Sequence, residues 1–202
     1  MQIEDSYPLS PIQHGMLVHS LSAPQSGVYI QQLVSVLREE LNVIALQRAW
    51  EQVLRRHPVL RISFFWEGTE QPVQRVHRDV LLPFQNLDWS DRALDDQEKE
   101  LECFLQTDRQ LGFHLDQAPL MRLTLVRCAQ TEYRLIWTSH HALFDGRSRL
   151  LLLNEVFAFY EAICLGENLN LSNPPPYRSY IDWLQNQNIS EAENFWRSKL
   201  KD

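Results

Sequence analysis

The chain has 202 residues, 44% hydrophobic, 10% aromatic and 22% charged, which excludes collagen-like and disordered classes and leaves room for one large domain or two small ones. With 19 basic and 26 acidic residues the formal charge is −7, and no basic block exceeds Arg55-Arg56, so no nucleic acid and no anionic membrane is expected as the main partner. Cys103, Cys128 and Cys164 are too scattered for a disulfide framework or a zinc knuckle, the opening Met1-Gln2-Ile3-Glu4-Asp5 is acidic where a signal peptide is basic, and no apolar run nears the ~18 residues of a membrane span; a soluble cytoplasmic protein is expected.

In chain order, Ser10 is a good N-cap and Pro11 suits a first helical position, so a helix is predicted over Ile12–Leu21. Ser22–Gly27 reads as a break and Val28–Leu37, rich in β-branched residues, as a strand. Asn42 caps a second helix whose Leu46, Trp50 and Val53 make one apolar stripe, ending at His57 because Pro58 disfavours helical angles before it. Val59–Trp66, a turn at Glu67-Gly68-Thr69 and Pro72–His77 read as a hairpin. A charge-laced helix runs from Ser90 or Asp91 to about Leu111. Alternation then marks two strands, Met121–Val126 and Tyr133–Thr138, joined by the polar link Ala129–Glu132. A helix from about Ser148 to Leu165 stops at Gly166, and beyond Pro174-Pro175-Pro176 come two short amphipathic helices, Arg178–Gln187 and Ser190–Lys199. Interspersed strands and helices with antiparallel candidates predict an α+β (mixed α/β) fold. Glycine-rich phosphate loops and a GxSxG elbow are missing from the sequence.

Of seven histidines, two are adjacent, in Ser139-His140-His141-Ala142-Leu143-Phe144-Asp145-Gly146. The segment lies where the last strand gives way to a helix, where side chains project into a cleft. Neighbours on a strand point to opposite faces, so one imidazole can face the cleft while the other faces the scaffold. Asp145 can fold back to accept hydrogen bonds in the turn before Gly146. A neutral imidazole can take a proton from an attacking amine or hydroxyl near neutrality. A histidine pair is, however, more often structural than catalytic. No metal is expected, because third and fourth ligands at suitable spacing are lacking, and a Ser139 nucleophile is awkward beside a histidine on the same strand.

This segment resembles the HHxxxDG motif of the condensation domains of nonribosomal peptide synthetases, which are related in fold to chloramphenicol acetyltransferase. Further stretches match in order: Leu9-Ser10-Pro11-Ile12-Gln13-His14-Gly15-Met16-Leu17 is similar to the family's opening motif. Arg56-His57-Pro58-Val59-Leu60-Arg61-Ile62-Ser63-Phe64 is similar to RHxxLRxxF, Phe113–Arg122 to the stretch before the motif strand, and Glu193-Asn194-Phe195-Trp196 to the start of the inter-lobe linker.

The resemblance implies a chloramphenicol acetyltransferase-like lobe, a mixed sheet flanked by helices, over residues 1–172, with the first linker helices over 173–202. It also implies an acyltransferase activity, amide-bond formation between acyl or aminoacyl thioesters carried on the phosphopantetheine arms of peptidyl or acyl carrier proteins. No cofactor is expected to be bound directly. His141 is then the catalytic, tunnel-facing histidine. His140, Asp145, Gly146 and Arg61 are framework positions, with Asp145 paired to Arg61. Ser139 and Arg147 replace the residues common at those places, which makes them substrate-channel candidates. Histidine at 140, where the heterocyclisation relatives carry aspartate, disfavours ring formation.

Such domains have two lobes, and this chain matches one, so a missing C-terminal lobe or self-association is expected to complete the tunnel. Two other readings stand beside this one. The first is an O-acyltransferase of the same superfamily, dependent on a carrier or coenzyme A. The second is a noncatalytic lobe that completes another chain or docks a carrier protein, the latter through basic residues such as Arg147, Arg149 and Arg178.

Overall fold

The computed structural model describes residues 2–24 and 26–200, so the first residue of the expected lobe and the last two of the expected linker lie outside the described residues. Two sheets organise the fold. In the smaller, β1 (Ile3–Pro8), β4 (Val73–His77) and β3 (Ile62–Phe65) run in the order β1-β4-β3, all antiparallel. In the larger the order is β2-β7-β6-β5. Here β2 (Ile30–Arg38), β7 (Glu132–His140) and β6 (Met121–Ala129) are antiparallel neighbours, and β5 (Phe84–Asp88) joins β6 in parallel. The mixed sheet and its flanking helices agree with the α+β expectation.

The alternation in β6 and β7 feeds two cores, one on each face of the larger sheet. Leu123, Leu125, Leu135 and Trp137 join the main core, which also takes Leu46, Trp50 and Val53 of α2 (Val43–Arg56) and Leu152 and Val156 of α4 (Gly146–Leu165). Trp50 and Trp137 meet edge to face with ring centroids 4.7 Å apart, a geometry that adds roughly 1 kcal/mol to their area burial. The opposite parity, Val126, Cys128 and Ile136, packs with Trp89 against Leu101, Phe104 and Leu105 of α3 (Leu94–Leu111). That face also holds a buried polar knot: Asp108 accepts from Thr138 Oγ1 at 2.6 Å and Gln32 Nε2 at 2.7 Å and pairs with Arg122 at 2.5 Å. β7 is therefore a central strand with helices on both sides, and whatever leaves its end is delivered to one side or the other.

Several boundaries depart from the sequence reading for local reasons. Pro58–Arg61 forms a 3-10 turn with Pro58 in its first turn, so β3 starts only at Ile62. The second strand begins at Ile30, after Tyr29 turns the chain with φ of 63°. The charge-laced helix starts at Leu94, and α4 starts two residues earlier than expected because Asp145 caps it. The link between β6 and β7 shrinks to Gln130-Thr131. β1 and β5 had no counterpart in the sequence reading: both are edge strands, and polar residues interrupt the alternation that would reveal them. After α4 the chain runs to α5 (Tyr177–Gln185), anchored by buried Ile181, and α6 (Ile189–Lys199), which buries none of its residues. No helix among the described residues is long and apolar enough to cross a membrane.

Candidate active site

Strand parity places the two motif histidines. His140 shares its side of β7 with Ile136 and Thr138, the α3 side, and is buried at 2% exposure. Its Nδ1 accepts the Ala142 amide at 3.2 Å, so that nitrogen carries no proton; Nε2–H then donates to Ser20 Oγ at 3.2 Å. Burial, helped by the charge of neighbouring His141, pushes its pKa down to about 4. His140 is thus a neutral, doubly bonded framework group, bordering a recess of about 250 Å³ shared with Ser20, Trp66 and Asp116.

His141 leaves on the other side, toward α2 and α4. Its amide donates to Tyr29 O at 2.8 Å, which prolongs the β2–β7 ladder by one residue and holds the backbone still. Its ring Nδ1 lies 3.2 Å from Phe144 O. A carbonyl can only accept, so Nδ1 carries the proton and Nε2 keeps its lone pair. The ring borders a cavity of about 680 Å³ shared with Met16, His57, Phe144, Leu152 and Tyr177. A crevice of about 710 Å³ beside Phe84, Phe104 and Arg122 contains none of the motif residues.

Asp145 and Arg61 are not partners. Asp145 is exposed and caps α4, its Oδ1 accepting the Ser148 amide at 2.8 Å; that bond and the Ser148 hydroxyl hold its carboxyl below the usual range. Arg61 is buried at 5% exposure, pairs with Glu4 of β1 at 2.7 Å and donates to the carbonyls of His77 and Arg78, where the β3–β4 ladder has run out of partners. The expected Arg61–Asp145 pair is therefore replaced by two separate devices: one ties the small sheet together and the other starts α4.

Gly146 is the first residue of α4, and a Cβ there would meet nothing within 4 Å. Ser139 is 1% exposed, faces the main core with its hydroxyl unpaired among the described residues, and borders none of these three cavities. Arg147 is exposed beside the motif without lining the His141 cavity. Neither channel candidate reaches that cavity. Of the other arginines offered for docking, Arg149 is bonded to Gln31, and Arg178 pairs with Asp5 and Asp182.

One feature at the edge of the cavity has no local signature in the sequence. His57 Nε2 lies 2.7 Å from Glu155 Oε2, and Arg56 Nε donates to the same oxygen at 2.9 Å, forming a bound carboxylate at the cavity edge. Arg56 and His57 open the RHxxLRxxF-like stretch, but Glu155 is 98 residues beyond His57 and carried no signal. Among the described residues no cluster of three or more His, Cys, Asp or Glu side chains is placed to hold a metal ion.

The fold matches about half of a solved condensation domain. The starter condensation domain of rhizomide synthetase RzmA superposes with a TM-score of 0.85 over 98% of this chain and 50% of that one, at 21% identity. The chain belongs to the condensation-domain family, whose model matches residues 3–202. It is 40% identical over 198 residues to a linear gramicidin synthase from Brevibacillus parabrevis, covering 98% of this chain and 2% of that protein. It is 38% identical over 200 residues to bacitracin synthase 1 of Bacillus licheniformis, covering 99% and 4%. The chain thus spans a few per cent of these relatives.

Proposed function

We propose that this chain is the histidine-bearing lobe of a condensation domain that forms amide bonds in nonribosomal peptide synthesis. Residues 1–172 form the lobe and 173–202 begin the linker to the second lobe; α6, which buries none of its residues, supports that division, while α5 stays on the core through Ile181. The substrates are two thioesters on the phosphopantetheine arms of peptidyl or acyl carrier proteins, and carrier proteins and the second lobe are the partners. We place the chain in the cytoplasm, in keeping with the free thiols of Cys103, Cys128 and Cys164.

The observation that carries this reading is His141 itself, tautomer-locked through Nδ1 by Phe144 O and lining the cavity. The acceptor amine attacks the donor thioester carbonyl, and a C–N bond forms as C–S breaks. His141 Nε2 takes the amine proton and returns it to the departing thiolate. The demand on His141 is modest. An α-amino group titrates at about 7.7–8.0, so part of it is nucleophilic near neutrality. Holding the two arms end to end contributes roughly 7–11 kcal/mol, and a placed base a further 10²–10⁴-fold or so.

The test is a mass assay with two loaded carrier proteins, on this chain alone and on the chain joined to a second condensation lobe. Amide product from the joined form supports the proposal. Acyl transfer from coenzyme A to an alcohol, or carrier binding without product from the joined form, would overturn it.

A further inference from the structure

Two glutamines lie deep in the molecule, Gln13 of α1 (Pro11–Ser22) at 2% exposure and Gln74 of β4 at 0%. Burying a primary amide is unfavourable unless its donors and acceptor find partners. Here all of them do. The two amides face each other, Gln74 Nε2 donating to Gln13 Oε1 at 3.0 Å and Gln13 Nε2 to Gln74 Oε1 at 3.3 Å. Gln74 gives its other proton to Pro8 O at 3.0 Å, and Gln13 Oε1 also accepts the Ser10 amide at 3.0 Å. The remaining proton of Gln13 goes to Ala142 O at 3.1 Å.

Ala142 is the residue after His141 and is itself buried. The anchors of this loop to Tyr29 O and to His140 reach the end of β7 and the residue just before β2, on the side of the large sheet. Gln13 is the contact that ties the loop to the small sheet and to the first turn of α1. It holds the peptide group that must stay fixed if the ring of His141 is to keep Nδ1 on Phe144 O beside the cavity.

We infer that Gln13, backed by Gln74, is a positioning residue that aims His141. The inference rests on the reading of His141 as proton acceptor. The pair acts as one unit: Gln74 fixes the rotamer of Gln13, and Gln13 fixes the loop. Without the donor, the Ala142 carbonyl turns toward water and the imidazole loses its single orientation.

The experiment uses a complete condensation domain carrying this lobe, with variants Gln13→Met, Gln13→Glu and Gln74→Leu, two loaded carrier proteins, and 15N-histidine spectra. Gln13→Met is expected to lower kcat at least tenfold with KM within twofold, and to convert the single Nδ1–H signal of His141 into a mixture of tautomers. Gln74→Leu is expected to show a smaller loss of the same kind. Gln13→Glu keeps the shape but presents a carboxylate oxygen to Ala142 O; its activity relative to the unaltered enzyme is expected to rise as pH falls and the carboxyl regains a donor.

A folded Gln13→Met enzyme with unaltered kcat and an unaltered His141 signal overturns the inference, as does a KM effect alone. If His141→Ala keeps full turnover, the acceptor reading fails; the tautomer signals of the glutamine variants still decide whether the loop is held as argued.

Discussion

The rings of His140 and His141 leave the end of β7 on opposite sides, and their hydrogen bonds give them opposite tautomers. His140 donates through Nε2 to Ser20, whereas His141 donates through Nδ1 to Phe144 O and leaves Nε2 free. Only His141 lines the larger of their two cavities. In a complete domain, His141→Ala is expected to lower kcat by about 10²–10⁴-fold while leaving the unfolding curve close to that of the unaltered protein. Turnover within a few-fold of normal would remove His141 from the proton path.

His140 makes the fold sensitive to acid. Its folded pKa of about 4 lies below the ordinary histidine value of 6.5, so between these values the unfolded chain binds the extra proton. The stabilisation from a neutral His140 is complete above pH 6.5 and is lost as pH falls toward 4, a difference of roughly 3 kcal/mol. His77, also held low mainly by burial, acts with the same sign. Denaturant titrations from pH 7.5 to 4.5 should show a flatter pH dependence for His140→Gln than for the unaltered chain. Parallel curves would show that His140 is not buried neutral.

The divergence of the two histidines was legible in the sequence because it follows from strand alternation alone. So were the strands β6 and β7, where apolar residues recur at every second position. Arg61 was misread because its partner, Glu4, sits in β1, an edge strand whose Ile-Glu-Asp-Ser-Tyr-Pro pattern exposes more than it buries. A long-range pair is invisible until the strand that brings it is recognised. The link between Gln13 and Gln74 crosses 61 residues and had no local signature either. Ser139 and Arg147 are unusual at the motif flanks, yet one faces the core and the other solvent.

A double-mutant cycle separates the two arrangements for Arg61. Arg61→Ala removes a buried guanidinium from Glu4 and from two backbone carbonyls at the end of β4, an expected loss of about 2 kcal/mol. Glu4 is half exposed, which keeps the cost below that of breaking a wholly buried pair. Asp145→Ala removes a helix cap, an expected loss of about 1 kcal/mol, and Asp145→Asn should recover most of it. Arg61 and Glu4 substitutions are expected to couple, and Arg61 and Asp145 substitutions to add. Strong coupling between Arg61 and Asp145 would restore the pairing implied by the family motif.

Tyr29 makes a comparable test of the backbone that holds His141. Among the described residues it is the one non-glycine residue with positive φ, at 63°, and its carbonyl receives the His141 amide at 2.8 Å. Left-handed geometry costs an ordinary L-residue roughly 1–2 kcal/mol, a cost glycine does not bear. Tyr29 is further held by its hydroxyl, 3.1 Å from His19 Nδ1. Both Tyr29→Ala and Tyr29→Gly lose that bond and the ring, but only alanine keeps the steric clash. Tyr29→Gly is therefore expected to be more stable than Tyr29→Ala by about 1 kcal/mol in denaturant unfolding, the reverse of their order in ordinary extended backbone. If alanine proves the more stable, position 29 does not hold the left-handed conformation, and the anchor of His141 must be sought in the loop that follows it.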